Sequence, residues 1–296
     1  MTQRFLNPEV LASIASLDLV AKTVVEGFIS GVHRSPDFGF SQEFAEYRAY
    51  NPGDDLRHVD WNVYARSEKM YLKRYQGETN TLVTLLLDKS ASMKYGSHAT
   101  HKLDYARYLT ASLAYLASTQ RDAIGLVVFD DDVRDYVHPS GRQGQLLRVL
   151  HAIGNAESGG VRTDFGKPFA HCAQFLSRRG LVVIISDFYE EPQKIIEGLA
   201  PLASRGNEVA LFHVLDPEEI APKFGEASLL IDMETQETLE VTPEYAREEY
   251  LTKINSHIAL LKSKAQGSNM DYCLMSTSKP MDAGLREYLA LRKGRL

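Results

Sequence analysis

A short apolar run that ends in oxygen-bearing side chains constrains this chain more than any other feature. Residues Leu82 to Leu87 are apolar apart from one threonine, and they show no alternation. That pattern is typical of a strand covered on both faces, as in a parallel sheet flanked by helices. The run stops at Asp88, and hydroxyls follow at Ser90 and Ser92. A carboxylate and two hydroxyls at alternate positions can converge on one point, and hard divalent cations such as Mg2+ select oxygen ligands.

Strand-like and helical segments alternate from about residue 80 to the end of the chain. Further apolar strands are predicted at Ile124 to Phe129, Leu181 to Ser186, Glu208 to Val214 and Tyr272 to Ser276. The alternating segment Val133 to His138 predicts an antiparallel edge strand joined by a hairpin. We therefore expect an α/β fold with three layers, in which a mostly parallel sheet has one antiparallel edge strand and helices on both faces.

The chain is predicted to have two parts, residues 1–79 and residues 80–296. The first contains a helix from Pro8 to about Ile29, ended by Gly31, and then a small β or irregular accessory module with a strand near 70–75. Its arginines and aspartates could form an internal ion-pair lattice or bind a partner. The second part is the α/β domain, with a β-hairpin insertion near 228–242.

Composition excludes several classes of function. The formal net charge is -6 and the isoelectric point is near 5.9, so no basic excess indicates a nucleic acid or membrane-surface partner. No apolar run reaches the ~18 residues that span a bilayer. The N-terminus lacks an apolar segment followed by a cleavage site. Two distant cysteines, Cys172 and Cys273, predict buried free thiols. We expect a soluble cytoplasmic protein.

Three loops are expected together at the carboxyl end of the sheet. They carry Asp88, Ser90 and Ser92, then Thr163 with Asp164, then Ser186 with Asp187. Taken singly, each has an ordinary structural explanation, a helix cap or a strand-end turn. Together they offer carboxylates and hydroxyls without His or Cys, which suits an octahedral Mg2+ or Mn2+ site and suits zinc poorly. The run Asp130-Asp131-Asp132 instead predicts a solvated hairpin turn.

This set resembles the metal-ion-dependent adhesion site of von Willebrand factor type A (vWA) domains. The resemblance rests on Asp-x-Ser-x-Ser after a buried strand, a later Thr-Asp, and a later strand that ends in Ser-Asp. It implies that Ser90, Ser92 and Thr163 bind the ion through hydroxyls. It also implies that Asp88 and Asp187 hold it directly or through water, with one position left for an acidic residue of a partner.

The segment before the opening strand carries a second resemblance. The run Arg48-Ala-Tyr50-Asn-Pro-Gly53-Asp54-Asp55-Leu-Arg57-His-Val-Asp60-Trp61, followed by the Asp-x-Ser-x-Ser loop, resembles the bacterial domain-of-unknown-function 58 family. Members are commonly found with MoxR-type AAA+ ATPases, and the pair is thought to act in chaperone-like assembly or metal insertion. The resemblance therefore implies a protein partner of this ATPase class, together with its client.

Three hypotheses about function remain open at this stage. The first is a non-enzymatic module that binds a partner's acidic residue through the cation. The second is a Mg-dependent phosphatase-like hydrolase with Asp88 as nucleophile, but such enzymes need an acid two residues later, where this chain has Ser90. The third is a scaffold with a vestigial metal site. No phosphate-binding Gly-x-x-x-x-Gly-Lys loop is present in the sequence.

Overall fold

The computed structural model describes residues 16–32, 46–49, 64, 69, 71–74, 81–159, 165–176, 179–223, 227–233, 237–281 and 285. The chain divides into two compact units, residues 32–80 and residues 1–31 with 81–296. The boundary predicted near residue 80 coincides with the end of the smaller unit. The N-terminal helix groups with the larger unit, which differs from its predicted place beside the accessory segment.

The smaller unit contains a two-stranded antiparallel ribbon. Strand β1 (Glu46–Ala49) pairs with β2 (Tyr71–Arg74), and Glu46 lies opposite Arg74. The strand predicted near residues 70–75 is therefore confirmed. The run 50–61, which carries most of the predicted ion-pair lattice, lies outside the described residues.

Helix α1 (Leu17–Val32) shows one buried stripe. Its buried side chains are spaced for a single helix face: Val20, Ala21, Val24 and Val25. The helix continues past Ile29 and through Gly31, where the sequence predicted its end. A glycine inside a helix costs only about 1 kcal/mol relative to alanine, so it does not by itself terminate one. The start predicted at Pro8 lies outside the described residues.

A six-stranded sheet forms the centre of the larger unit. Its strands are β3 (Leu82–Asp88), β4 (Ala123–Phe129), β5 (Val133–Ser140), β6 (Leu181–Ser186), β7 (Glu208–Leu215) and β10 (Asp271–Ser276). They lie in the order β10-β7-β6-β3-β4-β5. All neighbours pair in parallel except β4 and β5, which pair antiparallel at the edge. The predicted mostly parallel sheet with one antiparallel edge strand is confirmed.

Helices cover both faces of this sheet. On one face lie α2 (Lys102–Thr119) and α3 (Gln145–Gly154), and on the other lie α4 (Lys167–Phe175), α5 (Pro192–Ser204) and α8 (Leu251–Gly267). Alternate strand residues point to opposite faces. Leu86 and Ile184 pack in one cluster with Phe169, Leu199 and Leu261 from the second helix layer. Leu85 and Leu87 are equally buried on the first face, which confirms the predicted α/β class.

The remaining elements are short and lie between the main ones. They are a 3-10 turn (Ser92–Lys94), α6 (Pro217–Ile220), β8 (Ser228–Ile231), β9 (Thr238–Val241), α7 (Pro243–Tyr245) and a π-helical turn (Ala246–Tyr250) that leads into α8. Strands β8 and β9 pair antiparallel, so the hairpin predicted near 228–242 is confirmed. Within the described ranges, no helix has the length and apolar character needed to cross a bilayer.

The centre of the sheet contains a topological switch point. Strand β3 is followed by α2 on one face and β6 by α5 on the other, yet β3 and β6 are neighbours. The two connections therefore diverge and leave a crevice beyond the carboxyl ends of these strands, where ligands bind in open α/β sheets. Asp88 ends β3 and Ser186 ends β6, so Asp88, Ser186 and the adjoining Asp187 lie at this crevice.

Candidate metal site

Two hydrogen bonds hold the carboxylate of Asp88 in the crevice. Its carboxylate is completely buried. Oδ1 accepts a hydrogen bond from the backbone N–H of Ser90 at 2.8 Å, and Oδ2 accepts one from the Ser186 hydroxyl at 2.6 Å. The bond from Ser186 joins the ends of β3 and β6, so two of the three predicted loops meet in the structure.

The hydroxyls of Ser90 and Ser92 lie side by side. Their Oγ atoms are 3.1 Å apart. Ser92 begins the 3-10 turn, and the completely buried Met93 anchors that turn, with its N–H donating to the Ser90 carbonyl at 3.2 Å. The predicted convergence of the two serines after β3 is present.

A second loop, at residues 158–159, donates hydrogen bonds to the segment that carries Ser90 and Ser92. The Gly159 N–H donates to the Lys89 carbonyl at 2.7 Å, and the Ser158 hydroxyl donates to the Ser90 carbonyl at 3.3 Å. A Cβ at Gly159 would lie 2.8 Å from Oδ2 of Asp130, so no larger residue fits without movement. Thr163, the predicted third hydroxyl ligand, follows four residues later and lies outside the described residues, as does Asp164.

Asp187 brings a second carboxylate to the crevice. It follows β6 directly and is almost fully buried. Its Oδ2 accepts a hydrogen bond from Lys102 Nζ at 2.7 Å, whereas its buried Oδ1 has no hydrogen-bond partner within the described residues. Buried polar atoms are nearly always paired, so this oxygen is a candidate position for an ion or a water.

The electrostatics of the crevice favour an added cation. Burial, together with the nearby charge of Asp187, raises the pKa of Asp88 to about 7, against the hydrogen bonds from Ser186 and Ser90 that lower it. Two carboxylates buried close together disfavour each other's charged form. A divalent cation would relieve both the burial penalty and the repulsion.

Strained backbone fixes the position of Asp187. The next residue, Phe188, has a φ of 48°, a left-handed conformation that bulky residues rarely adopt. Its N–H donates to the Ser186 hydroxyl at 2.9 Å, and its ring stacks on Phe165 with centroids 5.6 Å apart. Such strain costs about 1–3 kcal/mol and persists where surrounding contacts impose it, often at functional sites.

Lys102 is the residue of this site that the sequence analysis missed. It is the first residue of α2, and its side chain is buried between Asp187 and Glu219, whose Oε1 lies 2.6 Å from Nζ. Burial alone would lower the pKa of Lys102, but the two carboxylates outweigh it and raise that pKa above its ordinary value. One signal existed: a lysine at a helix N-terminus opposes the helix dipole and therefore needs nearby anions.

The residues present fit a hard divalent cation. They are two buried carboxylates and a pair of adjacent hydroxyls, an oxygen-only set of the kind that Mg2+ and Mn2+ accept. Among the described residues, no cluster of three or more His, Cys, Asp or Glu could hold a metal. A site that takes part of its ligands from serine hydroxyls is not such a cluster.

Comparison with solved structures finds matches of low sequence identity. A structure titled conserved hypothetical protein BatB from Bacteroides thetaiotaomicron covers 72% of this chain and 98% of its own, with 15% identity and a TM-score of 0.47. The SpRpn10 VWA domain covers 69% and 93%, with 10% identity and a TM-score of 0.39. At these low values, the fold assignment rests on the strand order itself.

Sequence relatives cover nearly the whole chain. Uncharacterized protein Mb1516 of Mycobacterium bovis is 28% identical over 292 residues, 97% of this chain and 91% of the relative. Uncharacterized protein Rv1480 of Mycobacterium tuberculosis matches with the same values. The family described as "Protein of unknown function DUF58" matches residues 46–259, which include both strands of the smaller unit and the crevice. The chain belongs to the DUF58 family.

Proposed function

We propose that this protein is a non-enzymatic interaction module that binds an acidic residue of a protein partner through a divalent cation. The cation, Mg2+ or Mn2+, is held by Asp88, Ser90, Ser92, Thr163 and Asp187. The observation that carries the proposal is the crevice itself. There the Ser90 and Ser92 hydroxyls lie 3.1 Å apart, close to the buried Asp88, and Asp187 has a buried oxygen with no hydrogen-bond partner among the described residues.

The ligand chemistry supports a docking role for the ion. Hydroxyl ligands are neutral, so they offset less of the ion's charge than carboxylates would. An ion held mainly by neutral ligands keeps a strong attraction for an incoming carboxylate. A glutamate or aspartate of the partner then completes the coordination, and the ion bridges the two proteins.

The surroundings of Asp88 support a non-enzymatic role. A nucleophilic carboxylate must reach a substrate atom. Asp88 is fully buried, and both of its oxygens already accept hydrogen bonds from Ser90 and Ser186. This arrangement suits a group that positions an ion and its hydroxyl ligands better than one that attacks a phosphate ester.

Family membership supports a partner class. We propose that the partner is a MoxR-type AAA+ ATPase with its client, and that the pair works in chaperone-like assembly or maturation in the cytoplasm. The buried loops of the crevice would then present the ion to an acidic segment of the partner.

The partner proposal is tested with the purified full-length chain and the purified MoxR-type ATPase of the same organism. Binding is measured by biolayer interferometry in Mg2+ and in EDTA. We expect binding in Mg2+ that falls at least ~10-fold in EDTA and in Asp88→Asn, because both treatments remove the bridge. Asp135→Asn, which changes an exposed carboxylate on β5, is the matched control and should bind normally.

A second variant controls for the case in which Asp88→Asn weakens binding by disturbing the fold. Ser92→Ala removes one ligand hydroxyl from a short turn and leaves the buried carboxylates in place. It should weaken Mg2+-dependent binding as well. Binding that is equal in Mg2+ and EDTA, or equal in wild type and both site variants, contradicts the proposed function.

A further inference from the structure

A buried triad of charges lies behind the proposed ion site. Lys102 Nζ contacts Asp187 Oδ2 at 2.7 Å and Glu219 Oε1 at 2.6 Å, and only 1% of the lysine side chain is exposed. The lysine and the glutamate are not among the proposed ligands. Lys102 nevertheless contacts the proposed ligand Asp187 directly, and Glu219 contacts Lys102, so both charges act on what Asp187 can bind.

Lys102 pairs with only one of the two carboxylate oxygens of Asp187. Oδ2 takes the ammonium group, and Oδ1 remains buried without a partner in the described part of the chain. A charge-assisted hydrogen bond of this length fixes the rotamer of the carboxylate. Lys102 therefore holds Asp187 in one orientation while leaving one oxygen for another cation.

Glu219 in turn is held in place from several sides. Its Oε2 accepts from the Asp216 N–H at 2.8 Å within the capping box of α6, and its carbonyl accepts from the Tyr250 hydroxyl at 2.9 Å. The rings of Tyr95 and Tyr189 lie 5.8 and 5.9 Å from the lysine nitrogen. The triad is thus a fixed arrangement, and its charges cannot move far when an ion binds.

The triad carries one positive and two negative formal charges. A positive charge next to Asp187 repels a divalent cation, and the carboxylate of Glu219 offsets part of that repulsion. We infer that Lys102 and Glu219 set the cation affinity of the site, so that the ion is held weakly alone and tightly only with a partner's carboxylate. This inference rests on the proposed function.

Coupling between ion and partner follows from this charge balance. Any ligand that adds negative charge at the open coordination position strengthens ion binding, and by linkage the ion strengthens binding of that ligand by the same factor. Lys102 keeps the affinity for the bare ion low, so the site fills mainly when the partner's carboxylate is also present. The lysine is a positioning residue that acts on the ion through Asp187.

The test is a titration of the full-length chain with MnCl2, followed by the electron paramagnetic resonance signal of free Mn2+. Lys102→Met leaves the two carboxylates without the ammonium group and should tighten Mn2+ binding by about 10-fold. Glu219→Gln leaves the ammonium group without its second carboxylate and should weaken binding by about 10-fold. Lys253→Met, which removes an exposed lysine on α8, should leave the affinity unchanged.

The affinity changes expected for Lys102→Met and Glu219→Gln have opposite signs. That opposition distinguishes an electrostatic role of Lys102 from a purely structural one. If Lys102 only maintained the fold, both site variants would weaken binding, and that result overturns the inference. The double variant Lys102→Met with Glu219→Gln restores the original net charge of the triad and should return the affinity toward wild type. It also avoids an unpaired buried charge on Glu219, so it remains testable if Lys102→Met alone unfolds.

The Mn2+ titration distinguishes a wrong proposed function from a wrong inference about Lys102 and Glu219. A wild-type chain that binds no Mn2+ contradicts the proposed function and the inference with it. A wild-type chain that binds Mn2+, with variants that do not move in opposite directions, contradicts the inference alone. A double variant that stays as weak as Glu219→Gln also overturns it.

Discussion

Two acidic regions at the same edge of the sheet have opposite electrostatics. The crevice between β3 and β6 has two buried carboxylates, Asp88 and Asp187, and one oxygen without a partner in the described residues. The hairpin between β4 and β5 has three consecutive aspartates, Asp130 to Asp132. Arg134 contacts the first two, and Lys167 contacts the third at 2.8 Å.

The pKa shifts follow the same contrast. Burial and a neighbouring carboxylate raise the pKa of Asp88 to about 7. The hydrogen bond from Lys167, with help from the Val133 N–H and His171, holds the pKa of Asp132 well below its usual range. The hairpin has more carboxylates, but Arg134 and Lys167 of α4 already pair with each of them. Unpaired buried carboxylate oxygen, and not the number of acidic residues, distinguishes the proposed ion site from the hairpin.

The hairpin also corrects one expectation from the sequence. The aspartate run was predicted to be a solvated turn, yet Asp130 is buried. Its Oδ1 accepts from Arg134 Nε at 2.5 Å, and its Oδ2 faces the backbone of Gly159. Asp130 thus lies against the loop at Gly159, which bonds the Lys89 carbonyl of the crevice.

The largest expected difference between the two regions is in ion affinity. Asp88→Asn should weaken Mn2+ binding by at least ~100-fold, because it removes a buried carboxylate from the site. Asp132→Asn should leave the affinity within about 2-fold, because that carboxylate is already paired. Isothermal titration calorimetry with MnCl2 measures both variants. Equal losses in the two would remove the distinction between the regions.

The next expected difference is in stability. Ser186→Ala leaves a buried oxygen of Asp88 without its donor and the Phe188 N–H without its acceptor. The free energy of unfolding should fall by about 3 kcal/mol. Arg134→Ala breaks half-exposed pairs in the hairpin and should cost less than about 1 kcal/mol. Urea denaturation compares the two, and a larger loss in Arg134→Ala would reverse the contrast.

Gly159 tests the contact between the regions. Gly159→Ala places a Cβ 2.8 Å from Asp130 Oδ2, so either the buried Asp130 carboxylate or the loop that bonds the Lys89 carbonyl must shift. We expect Mn2+ affinity to fall by about 5-fold, because Ser90 and Ser92 lose part of their support. Gly154→Ala, where an added Cβ meets no neighbouring atom, is the control. An unchanged affinity in Gly159→Ala would show that the loop does not position the serines.

The last expected difference is in how stability responds to acid. Burial, together with His257, lowers the pKa of His213 to about 3, beside the crevice on β7. The folded state therefore stays unprotonated while the unfolded state, with a pKa near 6.5, takes up a proton. Stability from this group is complete above pH 6.5 and falls by up to about 1.4 kcal/mol per pH unit below it.

Variants isolate this contribution, because Asp88 titrates in the opposite sense over part of the same range. In EDTA, His213→Asn should become more stable relative to wild type as pH falls from 6.5 to 4.5. Asp132→Asn should track wild type over that range, since the lowered pKa of Asp132 affects stability only below its unfolded value near 3.8. Urea midpoints across pH give both comparisons. A constant difference for His213→Asn would show that the histidine titrates normally.

The parts of the structure that local pattern determines were predictable. The apolar run from Leu82 and the oxygens at Asp88, Ser90 and Ser92 form one continuous segment, and a strand-end loop has few alternatives. The parallel sheet with its antiparallel edge followed from the alternation of elements. The hairpin at 228–242 followed from its turn signals.

The parts that depend on distant segments were not predictable. Lys102 contacts residues 85 and 117 positions away, and nothing near it in the sequence identifies those carboxylates. The aspartates at 130–132 looked solvated because Gly159 and Arg134 approach Asp130 only after folding. The end of α1 was placed too early, since packing of its buried stripe outweighs the cost of two glycines.

The most direct measurement is an anomalous difference map from a crystal of the full-length chain grown in MnCl2. The predicted result is one strong peak within coordination distance, about 2.2 Å, of the Ser90 and Ser92 hydroxyls, with Asp88 and Asp187 as direct or water-mediated ligands. Lys102 should remain on Asp187 Oδ2. No peak at this crevice at saturating Mn2+, or a peak at Asp130 to Asp132 instead, would contradict the proposed ion site.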